Sequence, residues 1–316
     1  MTRTTAARLV AHGEPLRVEA VDLAEPGPGE VVVTLAYAGL NPVDRYGALG
    51  AVAPQGPVPR TLGTEGTGRV EGRAVLIRGH GLGTSRDGLW AGAAVVPEAA
   101  LTDVPDGVDL SAAAAMGVAG LTAWRVVTEI GQVGAKDRVL VLGSNGGVGS
   151  IAVSVADRLG ATVWGQTMDA QNTEWLAQRG ADHVVVGGAE ELARATGDFA
   201  PTVVIDPLGG AFTGASIEAL APHGRLVIFG TSAGPTGELP LRSLYRKGLT
   251  VLGYGGLIEP DEVLAKALEA SLRALADGRF EVPVETVLPL TQVNDALSRL
   301  ASRGARGKLV LDVSGS

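Results

Sequence analysis

Gly143-Ser144-Asn145-Gly146-Gly147-Val148-Gly149 decides how this chain reads. It follows the short apolar run Arg138-Val139-Leu140-Val141-Leu142 and opens a helix-like stretch from Gly147 to Leu159. A GxxGxxG pattern says little alone in a chain with 46 glycines among 316 residues, twice the usual ~7%. Its setting, after a buried strand and before a helix, gives it meaning. Glycine permits the tight turn and lets main-chain amides reach a pyrophosphate, whose charge the unpaired N–H groups of a helix start stabilise. Gly149 lets the helix pack closely on the strand. The competing reading is a glycine turn in an α/β sheet that binds nothing.

Outward from this turn, residues 121–253 alternate strictly between apolar runs and helical segments. Ala161-Thr162-Val163-Trp164-Gly165, His183-Val184-Val185-Val186, Thr202-Val203-Val204-Ile205-Asp206, Arg225-Leu226-Val227-Ile228-Phe229 and Leu249-Thr250-Val251-Leu252-Gly253 read as further strands. Helical segments are expected over 173–179, 189–196 and 211–221. Continuous β-branched runs are what strands covered on both faces require, so the segment predicts a doubly wound parallel sheet of the α/β class.

Residues 1–120 have a different texture. Short β-rich runs such as Glu30-Val31-Val32-Val33-Thr34-Leu35-Ala36-Tyr37 are separated by Pro and Gly, which reads as an irregular, mostly antiparallel region. The tail carries amphipathic stretches over 260–277 and 293–302 and ends in Lys308-Leu309-Val310-Leu311-Asp312-Val313. That last β run is too short to form a sheet alone, so the tail is expected to return to the first domain. The predicted division is a discontinuous domain of 1–120 plus 254–316 and a dinucleotide-binding domain of 121–253.

Composition excludes several classes of function. A net charge of −8, from 26 Lys and Arg against 34 Asp and Glu, gives no footprint for nucleic acid or an anionic membrane surface. The absence of Cys removes disulfides, thiolate zinc sites, iron–sulfur clusters and a Cys nucleophile. The four histidines, His12, His80, His183 and His223, show no ligand spacing, so no metal is expected. No secretory apolar core or membrane span is apparent, which predicts a cytoplasmic protein.

The tip of the second strand should separate NAD from NADP, because an acid there accepts hydrogen bonds from ribose hydroxyls while a 2′-phosphate prefers Arg or Lys. Thr167 stands at the tip, Asp169 two residues on, and no basic residue follows until Arg179. Gln166, Thr167 and Asn172 are candidates to hydrogen-bond a phosphate without charge, and an inward Asp169 would repel one.

Further stretches occur in matching order along the chain: Ala38-Gly39-Leu40-Asn41-Pro42-Val43-Asp44-Arg45-Tyr46, then Phe229-Gly230-Thr231-Ser232-Ala233-Gly234, then Leu244-Tyr245-Arg246-Lys247-Gly248-Leu249-Thr250. With the glycine turn, they resemble the zinc-independent quinone oxidoreductase branch of the medium-chain dehydrogenase/reductase superfamily. Val75-Leu76-Ile77-Arg78-Gly79-His80-Gly81-Leu82-Gly83 is similar to a related branch, the acryloyl-CoA reductase-like enzymes. The resemblance implies a Rossmann cofactor domain with a GroES-like, mainly β catalytic domain. Zinc-dependent relatives carry a Cys after the first β region and a Gly-His-Glu; this chain has Asn41 and Gly63-Thr64-Glu65 there. Neither Asn nor Thr replaces a thiolate or imidazole on zinc.

What the resemblance implies chemically is hydride delivery from NAD(P)H to a quinone or an α,β-unsaturated carbonyl, whose oxygen needs only hydrogen bonds as charge develops. It places Asn41 and Tyr46 beside the nicotinamide as catalytic candidates, with the Tyr46 hydroxyl polarising the substrate oxygen. Asp44 is expected to cap the turn after Pro42. Cofactor contacts are expected from Thr122, Gly143, Asn145, Gly146, Gly147, Val148, Gly149, Gln166, Thr167, Phe229, Gly230 and Ser232. Kinship favours NADP(H) over NAD(H), although relatives that use NADPH tend to carry a Lys and a Tyr where Asn172 and Gly187 stand. It also implies a homodimer through the cofactor domain, with Leu249 to Tyr254 as the pairing edge. Two alternatives stay open: an NAD(P)H-binding sensor without redox chemistry, and an acyl-CoA or tailoring enoyl reductase. The latter would want basic residues near the substrate, with Arg45, Arg60 and Arg78 as candidates.

Overall fold

The computed structural model describes residues 3–51, 56–302 and 304–316. The chain divides into two compact units, one of 1–121, 261–277 and 282–316, the other of 122–260 and 278–281.

The second unit is built on six parallel strands. Their order across the sheet is His183–Val186, Thr162–Thr167, Arg138–Val141, Val203–Asp206, Arg225–Ile228 and Thr250–Gly253. Chain order therefore reverses beside Arg138–Val141, the switch point at which doubly wound sheets open a binding crevice. The central strands are fully buried, Val139, Leu140, Val141, Val203, Val204 and Ile205 included, as their unbroken apolar runs require. Helices Gly147–Arg158, Ala189–Ala195 and Ala211–Ala219 connect them. Lys247 is no mere surface cation: its Nζ donates to the carbonyls of Glu218 and Leu220, at 2.6 and 2.9 Å, and so caps the helix Ala211–Ala219.

The first unit holds a seven-stranded mixed sheet and a three-stranded one. Strand Glu30–Gly39 runs through the larger sheet and pairs antiparallel with Glu65–Val70, Ala93–Pro97 and Lys308–Asp312. The C-terminal strand Lys308–Asp312 thus lies between Glu30–Gly39 and Val284–Pro289, the latter a parallel neighbour. Trp90, Leu9, Leu35, Leu62 and Ile77 fill the core beneath the sheets. Two features were not visible in the sequence: Met116–Gly120 and Arg125–Ile130 wind as π-helical turns. Such turns occur frequently at functional sites.

Candidate functional site

Each unit contributes its own cluster of site residues. In the second, the strand Arg138–Val141 runs into the turn at Gly143, whose φ of +56° suits glycine. Gly146 is the N-cap of a helix that runs from Gly147 to Arg158, and its carbonyl accepts the Ser150 N–H at 2.9 Å. The N–H groups of Gly147, Val148 and Gly149 precede that first intrahelical bond and so have no acceptor within the helix. Gly146, Gly147 and Val148 are half-buried, open enough for a ligand to reach. A Cβ on Gly149 would lie 2.8 Å from Ser144 Cα and closer still to the Gly143 carbonyl oxygen. Bare backbone is therefore obligatory here. A helix start with three available donors beside a turn without side chains fits a pyrophosphate.

The Gln166 and Thr167 side chains hold this turn rather than facing outward. Gln166 Oε1 accepts the Gly143 N–H at 2.9 Å and its Nε2 donates to the Gly187 carbonyl at 2.7 Å. Thr167 Oγ1 donates to Asn145 Oδ1 at 3.0 Å and accepts from Asn172 Nδ2 at 2.9 Å. Gln166 and Thr167 are each 1% exposed, and Asn172 is buried with them. Buried and bonded to one another and to the turn, the three side chains support the turn and are not turned outward to a phosphate. Asp169 does not point inward as a repelling charge either, since its Oδ1 caps Gln171 N at 2.9 Å.

Asp206, at the end of the strand Val203–Asp206, is a group that the sequence reading passed over as a strand residue. It is fully buried and accepts the N–H groups of Leu208 and Gly209, at 2.7 and 3.0 Å, plus the Thr213 hydroxyl. Burial pushes its carboxyl above the usual range, against these hydrogen bonds. It shapes the loop beside Phe229 and Gly230, which are half-buried, while Ser232 is exposed and bonds Pro207 O at 3.2 Å. Thr122 is half-buried.

In the first unit, the short helix Pro42–Ala48 follows the strand Glu30–Gly39. Asp44 accepts the Asn41 N–H through Oδ2 at 2.8 Å, and through Oδ1 the Thr64 N–H and hydroxyl at 3.0 and 2.9 Å. Burial drives its carboxyl up to about 7; the Thr64 and Asn41 donors oppose that rise. The Asn41 side chain does not bond its own turn. Its Nδ2 donates to Glu65 Oε1 at 2.6 Å and its Oδ1 accepts from Lys308 Nζ at 2.7 Å. Lys308 also donates to Glu65 Oε1 at 3.1 Å, an ion pair sealed from solvent. Glu65 and Lys308 were not singled out by the sequence, where Lys308 merely opened an apolar strand. Tyr46 stands on the helix Pro42–Ala48 and is 43% exposed. Among the candidate cations for a coenzyme A substrate, Arg60 is buried and donates to Gly56 O, so it offers no charge to a ligand.

The model of the family described as Zinc-binding dehydrogenase matches residues 147–273. A quinone oxidoreductase of Pseudomonas aeruginosa is 29% identical over 96% of this chain and 98% of its own. A mycocerosic acid synthase-like polyketide synthase of Mycobacterium tuberculosis is 28% identical over 95% of this chain, which spans only 15% of the synthase. Among solved structures, the quinone oxidoreductase of Thermus thermophilus, crystallised also with NADPH, is 30% identical with a TM-score of 0.84, covering 98% of this chain and 99% of that one. Among the described residues no helix is long and apolar enough to cross a membrane, and no three His, Cys, Asp or Glu side chains gather as a metal ion would need.

Proposed function

Because this chain belongs to the quinone oxidoreductase branch of the medium-chain dehydrogenase/reductase superfamily and is an NAD(P)H-dependent oxidoreductase, we propose that it delivers hydride to a quinone or an α,β-unsaturated carbonyl without zinc. The observation that carries this reading is the helix start at Gly147, whose first N–H groups open onto a bare glycine turn at the switch point of the sheet. We assign Gly143, Asn145, Gly146, Gly147, Val148 and Gly149 to the pyrophosphate side of the site, and Thr122, Phe229, Gly230 and Ser232 to the nicotinamide side. Gln166 and Thr167 act from beneath the turn.

Bound nicotinamide supplies the hydride; the residues of the first unit supply the hydrogen bonds. Asn41 offers an N–H, and the exposed Tyr46 offers a hydroxyl, to an oxygen on which negative charge grows as the hydride arrives. The donor set argues for zinc-free chemistry. Where zinc-dependent relatives place thiolate and imidazole, this chain has an amide already bonded to Lys308 and Glu65 and a hydroxyl already bonded to Asp44. The first unit, with residues 261–277 and 282–316, is then the catalytic GroES-like domain, and the second is the cofactor domain. We place the protein in the cytoplasm, which supplies reduced nicotinamide.

We propose NADPH as the favoured donor, with only weak discrimination against NADH. Both determinants of selectivity are weakened at the tip of the second strand. No Arg or Lys lies between Thr167 and Gln178, and Asp169 spends one carboxylate oxygen, Oδ1, as a cap. A charge-assisted contact to the 2′-phosphate is what separates the cofactors strongly, so the ratio of kcat/KM values is expected within about tenfold. Turnover of 1,4-naphthoquinone and 2-cyclohexen-1-one, followed by loss of nicotinamide absorbance with each cofactor after chelation, checks both statements. No turnover across such a panel, despite tight cofactor binding, favours a sensor instead; a ratio of about 100-fold or more overturns the weak selectivity.

A homodimer is proposed as well. Among the described residues, strand Thr250–Gly253 pairs on one side only, with Arg225–Ile228, and Val251 on it is 38% exposed. An open edge of this kind invites a second copy to extend the sheet. Light scattering at micromolar concentration should return twice the chain mass, and a monomer there refutes the pairing.

A further inference from the structure

We propose that Lys308 and Glu65 are positioning residues that lock the Asn41 amide in one orientation, so that its N–H end is the one presented to the substrate oxygen. This rests on the reading above in which Asn41 stands at the substrate site.

Lys308 carries three N–H bonds and spends all of them: on Leu40 O at 2.8 Å, on Asn41 Oδ1 at 2.7 Å and on Glu65 Oε1 at 3.1 Å. Its side chain is 3% exposed. An ammonium with no hydrogen left cannot reach a substrate, so it is not a catalytic residue. What it does is decide which end of the Asn41 amide faces it. An ammonium only donates, so the amide atom at 2.7 Å must be the oxygen; a flipped amide would set NH₂ against NH₃⁺. Glu65 fixes the other end independently. An ionised carboxylate only accepts, and Asn41 Nδ2 lies 2.6 Å from Oε1. Both ends of one amide are thus assigned by groups of opposite character.

The clamp is itself held. Glu65 is 0% exposed, and its Oε2 accepts the Val118 N–H at 2.7 Å from the π-helical turn Met116–Gly120. Side chains are excluded around it: a Cβ on Gly39 would lie 2.6 Å from Ala114 O and nearer still to Glu65 Oε1. A Cβ on Gly117 would meet Glu65 at 3.0 Å. The Val118 N–H and the Lys308 ammonium, with this close backbone, hold the carboxylate on Asn41.

The consequence is a rule of substrate class. Asn41 is itself buried, at 2% exposed; one N–H of its Nδ2 goes to Glu65, so the second is the single hydrogen it has left for a ligand. The group recognised at this point must therefore accept, as a quinone or enone carbonyl does.

The test is Lys308→Leu with Glu65→Gln in one chain, which removes both charges together and avoids stranding either one in the interior. The double variant is expected to fold, by circular dichroism, and to bind NADPH with an unchanged Kd. Its kcat on 1,4-naphthoquinone should fall at least about tenfold while KM changes little, because the amide introduced at position 65 can pair with either end of Asn41 and the leucine at position 308 with neither. Asn41→Ala, which deletes the donor, should lose on the order of 100-fold in kcat. If Asn41→Ala keeps full activity, the placement of Asn41 at the substrate fails, whatever Lys308 does. If Asn41→Ala is crippled while the folded double variant turns over within about threefold of wild type, the lock is refuted. Should the double variant not fold, Lys308→Arg decides. A guanidinium also only donates, so kcat should stay within about fivefold, and its collapse in a folded, NADPH-binding Lys308→Arg protein overturns the proposal.

Discussion

Gly149→Ala should weaken NADPH binding by at least about 30-fold and lower the melting temperature by about 4–8 °C. The two effects have one cause. The added Cβ would sit 2.8 Å from Ser144 Cα, and nearer still to the Gly143 carbonyl oxygen, distances that real Cβ contacts do not show. Both neighbours are backbone and cannot rotate away. The helix Gly147–Arg158 must shift off the strand that feeds it, which costs about 2 kcal/mol of overpacking strain. That shift carries the Gly147, Val148 and Gly149 N–H groups away from the anion they would hold, and charge-assisted bonds weaken steeply with misplacement. Gly134→Ala is the control, because nothing lies within 4 Å of its Cβ and its φ is not positive; it should leave both quantities unchanged. Fluorescence titration and a melting curve on each variant decide the matter. A fall in stability with undiminished cofactor affinity would mean that the turn only packs and does not bind.

The glycine turn and the strand–helix alternation were legible because their signals are local. Val139 to Leu142 or Val203 to Ile205 declare a doubly buried strand within four residues, and the helix start is written in the next few. The Asn41 clamp was not legible for the opposite reason. Lys308 and Glu65 are separated by 243 positions and meet only because Lys308–Asp312 and Glu65–Val70 both pair with Glu30–Gly39. No periodicity in the sequence announces a cation at the head of an apolar strand as the partner of a carboxylate two strands away. The π-helical turns were hidden likewise, since no residue type favours an i→i+5 bond strongly enough to mark one. Gln166, Thr167 and Asn172 show a third kind of gap. Their position at the second strand's tip was read correctly, but whether an amide there faces a ligand or its own turn depends on burial, and burial is a tertiary property. Asp206 was missed on the same ground, as a polar end to an apolar run whose role appears only once Leu208, Gly209 and Thr213 close around it.

The stability of the protein relative to an Asp44→Asn variant should fall by about 4 kcal/mol as pH rises from 4 to 7.5. In the unfolded chain the Asp44 carboxyl ionises near its ordinary 3.8, whereas in the folded protein burial, the dominant cause, lifts it to about 7. Between those two values the folded state retains a proton that the unfolded state has released. The folded state binds more protons there, so stability drops with rising pH, by ~1.4 kcal/mol per unit, and the fall ends once pH passes about 7. Asparagine has no such proton and shows no such slope. The geometry sets up a real contest, because Thr64 and Asn41 send three donors to the carboxylate and the Lys308 charge also favours ionisation, while the nearby Glu65 charge opposes it. Urea midpoints of both proteins at the two pH values read the outcome. A gap between them that widens with pH would show that the donors outweigh burial and that Asp44 folds as a carboxylate. A gap that narrows means the carboxyl is protonated below neutrality and surrenders part of its acceptor capacity to its own hydrogen. In that state the added hydrogen sits at the junction that holds the Asn41 backbone and carries Tyr46 two residues further along the same helix.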